Sequence, residues 1–443
     1  MDIQEKKEPT QSKPIEQPKP TDPKKELVDL DQVVAGCQDY DPVTWARIRY
    51  ICDVVRECAK KNSIMEIETP TMEYRKLLLD KYGSEAEDKL IFDMADGQSA
   101  LRYDLTVPFT RYVKNKGLEA CRKLQIGRVY RRDTPYPTKG RFCEFYQADI
   151  DIVGPRQEML PEAEILKIIN QVMKGINIPN YVIKINFRQN LEMIFKKVGI
   201  KASNKYFKSL CTSIDKLDKR DWTYVAEELK TKKVTQEQCD ELKKLFDENY
   251  VDDKVKPIYE LLDKYLKIFQ VTNVVFDTTL ARGLDYYTGL IYEVVCSDTE
   301  IGSVVAGGRY DKLISKTVKK NKVYIPAIGV SFGVSRLALL MPEIKPDLGF
   351  RVYIVAETKL LDKKLEIANM LWEAGYNVEY NDTPKKNIKE INYGIKNDFN
   401  FIVIYGENGE EVCVKKNDQS KDQIVPLEKM VATIGNFDDY GFS

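Results

Sequence analysis

The 443-residue chain contains no histidine. Without an imidazole, a Ser–His–Asp triad, a histidine-bound metal and an imidazole proton shuttle are all excluded. Net charge is absent too, since 69 Lys and Arg balance 69 Asp and Glu. This argues against a non-specific nucleic-acid coat, so any polyanion must be met by a local basic patch. No stretch approaches the roughly 18 apolar residues of a membrane helix. The nine cysteines never form a C-x-x-C pair, so neither a zinc ribbon nor a disulfide framework is readable, no metal site is expected, and the thiols read as small buried hydrophobes. The amino terminus has no signal-peptide apolar run, and Asp2, Glu5, Glu8 and Glu16 count against an acid-poor transit peptide. A soluble cytoplasmic protein without a membrane segment is expected.

Residues 1–30 read as a disordered tail, because their first 25 positions hold five prolines, six lysines, five acids and almost nothing apolar. From Val43 to Ala59 apolar residues recur at helical spacing. Short apolar strands follow at Ile64–Thr69, Leu90–Met94, Leu124–Tyr130, Phe142–Val153, Tyr181–Phe187, Asn273–Phe276, Ile291–Val295 and Ile325–Val330. Several are joined by turns too short for crossover helices, which predicts an α+β fold with a largely antiparallel sheet flanked by helices. Residues 201–265 are densely charged and helix-patterned, as in a helical insertion. From Arg351 strands and helices alternate afresh, predicting a separate α/β domain over 350–443 after a main domain over 31–345.

Two stretches carry chemistry. Residues 111–141 hold ten basic side chains against Glu119 and Asp133, a net of +8 in a neutral chain. Pro135, Pro137 and Gly140 interrupt the run, so it is either a solvated face or a basic hairpin loop suited to phosphate contacts. On the strand that follows, alternation puts Cys143, Phe145, Gln147, Asp149 and Asp151 on one face. An aromatic, an amide and two carboxylates do not make a core face; they make an exposed surface or a polar pocket, which Arg131 could complete. The second stretch, Leu280–Gly289, pairs two glycines with Arg282, Tyr286 and Tyr287. Gly307–Asp311 and Gly329–Arg336 read as glycine turns carrying an arginine.

Together, R-Y-D-L-T-V-P-F (102–109), V-Y-R-R-D (129–133), G-R-F-C-E-F-Y-Q (140–147), A-R-G-L-D-Y-Y-T-G (281–289), G-G-R-Y-D (307–311) and G-V-S-F-G-V-S-R (329–336) resemble the class II histidyl-tRNA synthetases, closer to their eukaryotic or archaeal branch. I-E-T-P (67–70) resembles class II motif 1, and the trailing domain resembles the family's anticodon-binding domain. The resemblance implies activation of L-histidine with ATP and Mg2+ to histidyl-adenylate, then transfer to tRNA(His), by a homodimer.

It further implies that Arg131 holds the α-phosphate and substrate carboxylate, with Arg282 opposite as cationic catalyst. Arg336 would pin the γ-phosphate and cover the adenine, with Phe145 on the other face. Asp104 and Thr106 would hold the α-amino group, Leu105 would line the histidine site between them, and Gln147 would orient the carboxylate. Asp151 and Tyr287, beside Tyr286, would read the two ring nitrogens. Two positions depart from the family pattern: Ser335 stands where motif 3 has Glu, and Cys143 where relatives carry Arg. These leave open an alternative, a synthetase-like paralogue that senses histidine or uncharged tRNA. An enzyme of this kind that lacks histidine is made without drawing on its own product. Either this guards its synthesis against histidine limitation, or the composition has simply drifted; on the first reading its synthesis outlasts that of histidine-containing proteins in pulse labelling, and equal decline would contradict it.

Overall fold

The structure, a computed structural model, describes residues 31–82, 90–201, 204–281, 286–297, 299–318, 321–383, 385–406, 410–417 and 421–438. The tail at 1–30 and Arg282 lie outside them. The described residues form two compact units, one of residues 31–41 and 47–342, the other of residues 343–438 with Pro42–Ala46.

In the larger unit the apolar runs become an eight-stranded sheet. Its order is Met65–Glu66, Cys121–Tyr130, Glu144–Val153, Ala327–Phe332, Val305–Arg309, Leu290–Cys296, Tyr181–Phe187 and Val274–Phe276. The six inner strands pair antiparallel and the two edge strands pair parallel. Helix Leu160–Gly175 carries Ile165, Leu166, Ile168, Ile169, Val172 and Met173 at helical spacing and buries all of them, which gives the sheet a covering layer on one side. The hairpin expected around Pro135–Gly140 is present: a single 3-10 turn, Pro137–Lys139, separates its two ten-residue strands.

The insertion is helical, with Asn204–Ile214, Trp222–Thr231, Gln236–Asp247 and Lys256–Ile268. Asp221 caps the second helix and Thr235 closes a capping box with Gln238 on the third, so these boundaries are set locally. The first three helices, with helix Arg188–Lys197, enclose a core of their own, including Leu191, Ile194, Leu210, Val225, Leu229 and Leu242, while Lys256–Ile268 packs on Leu160–Gly175. Leu280 and Ala281 join that core and Tyr287 packs against it.

The smaller unit has a five-stranded sheet in the order Asn377–Tyr380, Arg351–Ala356, Phe401–Tyr405, Glu411–Lys416 and Gln423–Pro426. The first three strands are parallel and the last two antiparallel. Val352, Ile354, Ile367, Leu371, Phe401 and Val403 fill its core.

Three readings change. Gly307, Gly308 and Gly329 are not in turns but inside buried strands; a glycine forced by close packing in a sheet looks the same in sequence as one forced by a turn. The strand expected at Leu90–Met94 reduces to one bridge between Asp93 and Ala100, and that at Ile64–Thr69 to Met65–Glu66.

Candidate active site

The polar face expected on Glu144–Val153 is buried at the centre of the sheet. Gln147, Asp149 and Asp151 are all buried, and their neighbours across the flanking strands are small or polar. Gln147 faces Gly127, Asp149 lies between Gln125 and Ser331, and Asp151 faces Gly329. Gly329 and Gly127 leave room for specific side chains. A Cβ on Gly329 would stand 2.0 Å from Asp151 Oδ1, and one on Gly127 would stand 2.2 Å from Arg102 Nη2. Arg102 is buried there and donates to the carbonyls of Arg128 at 2.7 Å and Thr69 at 2.9 Å.

Asp104 lies at the start of helix Thr106–Asn115, where its Oδ1 accepts the Val107 amide at 2.9 Å. Leu105 is buried and Thr106 half-buried. Arg131 leaves the end of the preceding strand and is held between two aromatic rings, 4.3 Å from the Tyr103 centroid and 5.2 Å from that of Phe145. Its Nε also donates to the Tyr103 carbonyl at 3.1 Å. A guanidinium fixed in this way presents its remaining donors as a preset fork, the geometry that carboxylates and phosphates take.

Asp151 accepts a hydrogen bond from the Tyr310 hydroxyl. Burial pushes its carboxyl up to about 7; the Tyr310 bond pulls the other way, and the charge of Asp104 adds to the rise. Asp149 is raised well above the carboxylate range, first by burial and then by Asp151. Tyr286 and Tyr287 meet with ring centroids 4.8 Å apart, and Tyr286 lies edge-on to Tyr310 at 6.2 Å. Burial raises the Tyr286 hydroxyl well above its usual range, and the nearby groups Tyr287 and Asp104 add to this. Asp104, Asp149, Asp151, Arg131, Tyr286 and Tyr287 are therefore brought to one place. Arg336 sits by the hairpin loop, donating to the carbonyls of Gly140 at 3.2 Å and Ser303 at 2.8 Å.

Several supporting residues carry no readable role in the sequence. Tyr310 and Tyr292 reach in over long range, Tyr292 donating to the Gly329 carbonyl at 2.5 Å. Arg309 joins Glu162 at 2.5 Å and Asp311 at 2.9 Å. The Arg309 carbonyl accepts from the Thr288 amide at 2.7 Å, and Thr288 Oγ1 accepts from the Asp311 amide at 3.1 Å. These bonds anchor the segment that carries the paired tyrosines. The i, i + 2 pairing of Arg309 with Asp311 is local, but separations such as 147 residues between Arg309 and Glu162 leave no trace in the sequence.

Both departures from the family pattern are built into packing. Ser335 is buried, its Oγ accepts the Tyr146 amide at 3.0 Å and bonds to the Tyr40 hydroxyl at 3.3 Å. Ser335→Ala leaves that amide without its acceptor and is expected to cost about 1–2 kcal/mol of stability, measurable by urea unfolding; an unchanged midpoint would contradict the bond. Cys143 precedes the strand rather than lying in it. Its amide donates to the Gly36 carbonyl at 2.7 Å, and a Cβ on Gly36 would come within 2.4 Å of its sulfur.

Comparison with known proteins agrees over nearly the whole chain. Residues 36–337 match the family model for histidyl-tRNA synthetase, and residues 350–436 match that for an anticodon binding domain. A cytoplasmic histidine–tRNA ligase of Dictyostelium discoideum is 36% identical over 413 residues, which is 85% of this chain and 84% of the relative. A mitochondrial histidine–tRNA ligase of Bos taurus is 32% identical over 444 residues, 90% of this chain and 87% of the relative. The crystal structure of histidyl-tRNA synthetase from Nostoc sp. PCC 7120 superimposes with a TM-score of 0.70 at 23% identity, covering 92% of this chain and 99% of that one.

Proposed function

Since this chain belongs to the histidyl-tRNA synthetase family, a family of ATP-dependent aminoacyl-tRNA ligases, we propose that the pocket around Arg131, Asp104 and Asp151 is where histidine is activated. The observation that carries this reading is the set itself: a half-buried guanidinium clamped between Tyr103 and Phe145, facing buried carboxylates and paired tyrosines. Arg131 binds the histidine carboxylate and the ATP α-phosphate. The carboxylate oxygen attacks phosphorus, pyrophosphate leaves, and a ribose hydroxyl of the terminal adenosine of tRNA(His) then takes the histidyl group, releasing AMP and the hydroxyl's proton. Positioning and charge stabilisation drive such a displacement, so arginines suffice and no imidazole base is needed.

The remaining roles follow the family pattern. Arg282 stabilises the transferred charge from the opposite side. Arg336 holds the γ-phosphate and lies over the adenine, with Phe145 on the other face. Asp104 and Thr106 take the α-ammonium, with Leu105 as packing between them. Gln147 orients the carboxylate, and Asp151, Tyr286 and Tyr287 enclose the ring. Reading both nitrogens with buried groups rejects analogues that would leave those groups unpaired. Mg2+ arrives on the ATP phosphates as part of the substrate.

The domains divide the work. Residues 31–345, with their insertion, carry catalysis, and residues 350–443 read the anticodon. That second domain has 12 basic and 16 acidic side chains over 351–443, so its contacts rest on a basic minority face or on stacking. Most salt-dependent tRNA affinity falls to residues 111–141. Lys139, on the hairpin and paired with exposed Glu300 at 3.2 Å, is the test: Lys139→Glu is expected to weaken tRNA binding severalfold and flatten its salt slope by about one. An unchanged slope would move the contact elsewhere. Homodimerisation is supported by the exposed Met65, Met72 and Tyr74 beside the motif 1 segment. A cytoplasmic place is supported by the naming of the Dictyostelium relative; among the described residues no helix is long and apolar enough to cross a membrane.

Transfer of labelled histidine to tRNA in the presence of ATP tests the reading. Histidine-specific, ATP-dependent charging is expected; charging with another amino acid, or none, would overturn it.

A further inference from the structure

The roles above account for Gln147 and Asp151 but not for the residue between them. Asp149 is 2% exposed, and among the described residues the hydrogen-bond donor set against its two oxygens is the Ser331 hydroxyl opposite, outside close hydrogen-bond geometry. It is not an isolated exception. In the same row across the sheet, Gln125 Oε1 and Ser331 Oγ are also buried and unpartnered, as is Gln147 Oε1 one step along. Gln125 spends its amide group on Thr69, donating to its hydroxyl at 2.6 Å, so its carbonyl oxygen is what remains.

A buried carboxylate with only one weakly placed hydroxyl to bond to is costly, of the order of several kcal/mol. Proteins keep such a group where a ligand completes it. This buried row is almost entirely acceptors: two Asp149 oxygens and two amide oxygens against one hydroxyl. It calls for a ligand rich in N–H donors and positive charge. Phosphate does not fit that description, since it brings only acceptors and negative charge, and adenine offers N–H donors but no positive charge. Histidine does, with an ammonium group and ring N–H donors.

We infer that Asp149 is a further specificity-determining residue of the histidine pocket, its carboxylate and the Ser331 hydroxyl forming with Asp151 a two-carboxylate floor that accepts the amino acid's N–H donors. The inference rests on the proposed function, because it names the same site's ligand. It places Asp149 in contact with the substrate's cationic side, on the strand between Gln147 toward the carboxylate and Asp151 toward the ring.

The electrostatics agree. Burial and the Asp151 charge raise Asp149, while the Ser331 hydroxyl opposite and Arg131 offset only part of this. The groups that face it are Asp104 from the loop before Thr106–Asn115, Asp151 on its own strand, Arg131 from the hairpin, and Tyr286 and Tyr292 from the other side. Because the chain has no histidine, no protein imidazole obscures this region of pH. Among the described residues Asp149 and Asp151 are the carboxylates pushed toward neutrality. Histidine affinity should therefore fall on the acid side as the pair takes up protons. Removing one member lowers the other's proton affinity, since a like charge is gone.

The experiment is histidine-dependent ATP–pyrophosphate exchange on the full chain and on Asp149→Asn, which keeps the shape and removes the charge. The expected result is a KM for histidine raised tenfold or more, a KM for ATP within about twofold, and an acid limb of kcat/KM for histidine displaced to lower pH. Thermal melting monitors the fold. Should Asp149→Asn fail to fold, Ser331→Ala carries the test, with a severalfold rise in KM for histidine alone. An unchanged histidine KM, or equal rises for both substrates with no movement of the acid limb, would overturn the inference and leave Asp149 as packing. Absence of histidine-dependent exchange in the wild-type chain would instead overturn the proposed function on which it rests.

Discussion

Replacing Arg131 with alanine is expected to lower histidine-dependent ATP–pyrophosphate exchange about a thousandfold or more, with little change in melting temperature. The guanidinium touches both reacting groups in the proposed reaction, the attacking carboxylate and the α-phosphate that accumulates charge. Losing one preorganised donor of that kind costs roughly 10²–10³ in rate, and here a charge is lost with the hydrogen bonds. The fold should tolerate the change, since Arg131 is only part-buried and rests on two aromatic faces and one carbonyl. Arg131→Lys should recover little, because a point charge does not reproduce a stacked, planar fork. Exchange kinetics on folded protein check this. A loss below tenfold would place the α-phosphate contact on another residue.

Gly329→Ala is expected to raise the KM for histidine by about a hundredfold and to destabilise the chain by about 1–3 kcal/mol, the usual cost of overpacking. The added methyl would stand 2.0 Å from Asp151 Oδ1 and 3.1 Å from Tyr310 Cε1. Neither neighbour has solvent to retreat into, since Asp151 is 3% and Tyr310 1% exposed. The carboxylate must leave its bond with Tyr310, and the pocket loses the group that reads the ring. Kinetics with both substrates and a melting curve separate the two effects. A stability loss with an unchanged histidine KM would mean that Asp151 does not contact the substrate.

The parts of this site that follow a short-range rule are legible in the sequence. Period-two alternation places Gln147, Asp149 and Asp151 on one face, and the basic run broken by Pro135, Pro137 and Gly140 is the hairpin that presents Arg131. Five of the six inner antiparallel strands, all but Val305–Arg309, and the alternating strands and helices after Arg351 are legible for the same reason.

What is not legible depends on distant partners. Gly307, Gly308 and Gly329 look like turn residues, because only the packed sheet shows that Tyr292, Tyr287 and Asp151 need their space. Tyr310 gives no sign that it clamps Asp151, 159 residues away. Cys143 reads as part of the polar face, but docking of Gly36 ends the strand at Glu144. Ser335 reads as a missing carboxylate, and in the fold it is the acceptor for the Tyr146 amide.

The most direct test of the central claim is ATP–pyrophosphate exchange on the purified chain with each amino acid in turn. Exchange that requires histidine and disappears in Arg282→Ala is the predicted result. Histidine binding without exchange would contradict it, and would mark the chain as a sensor built on a synthetase fold.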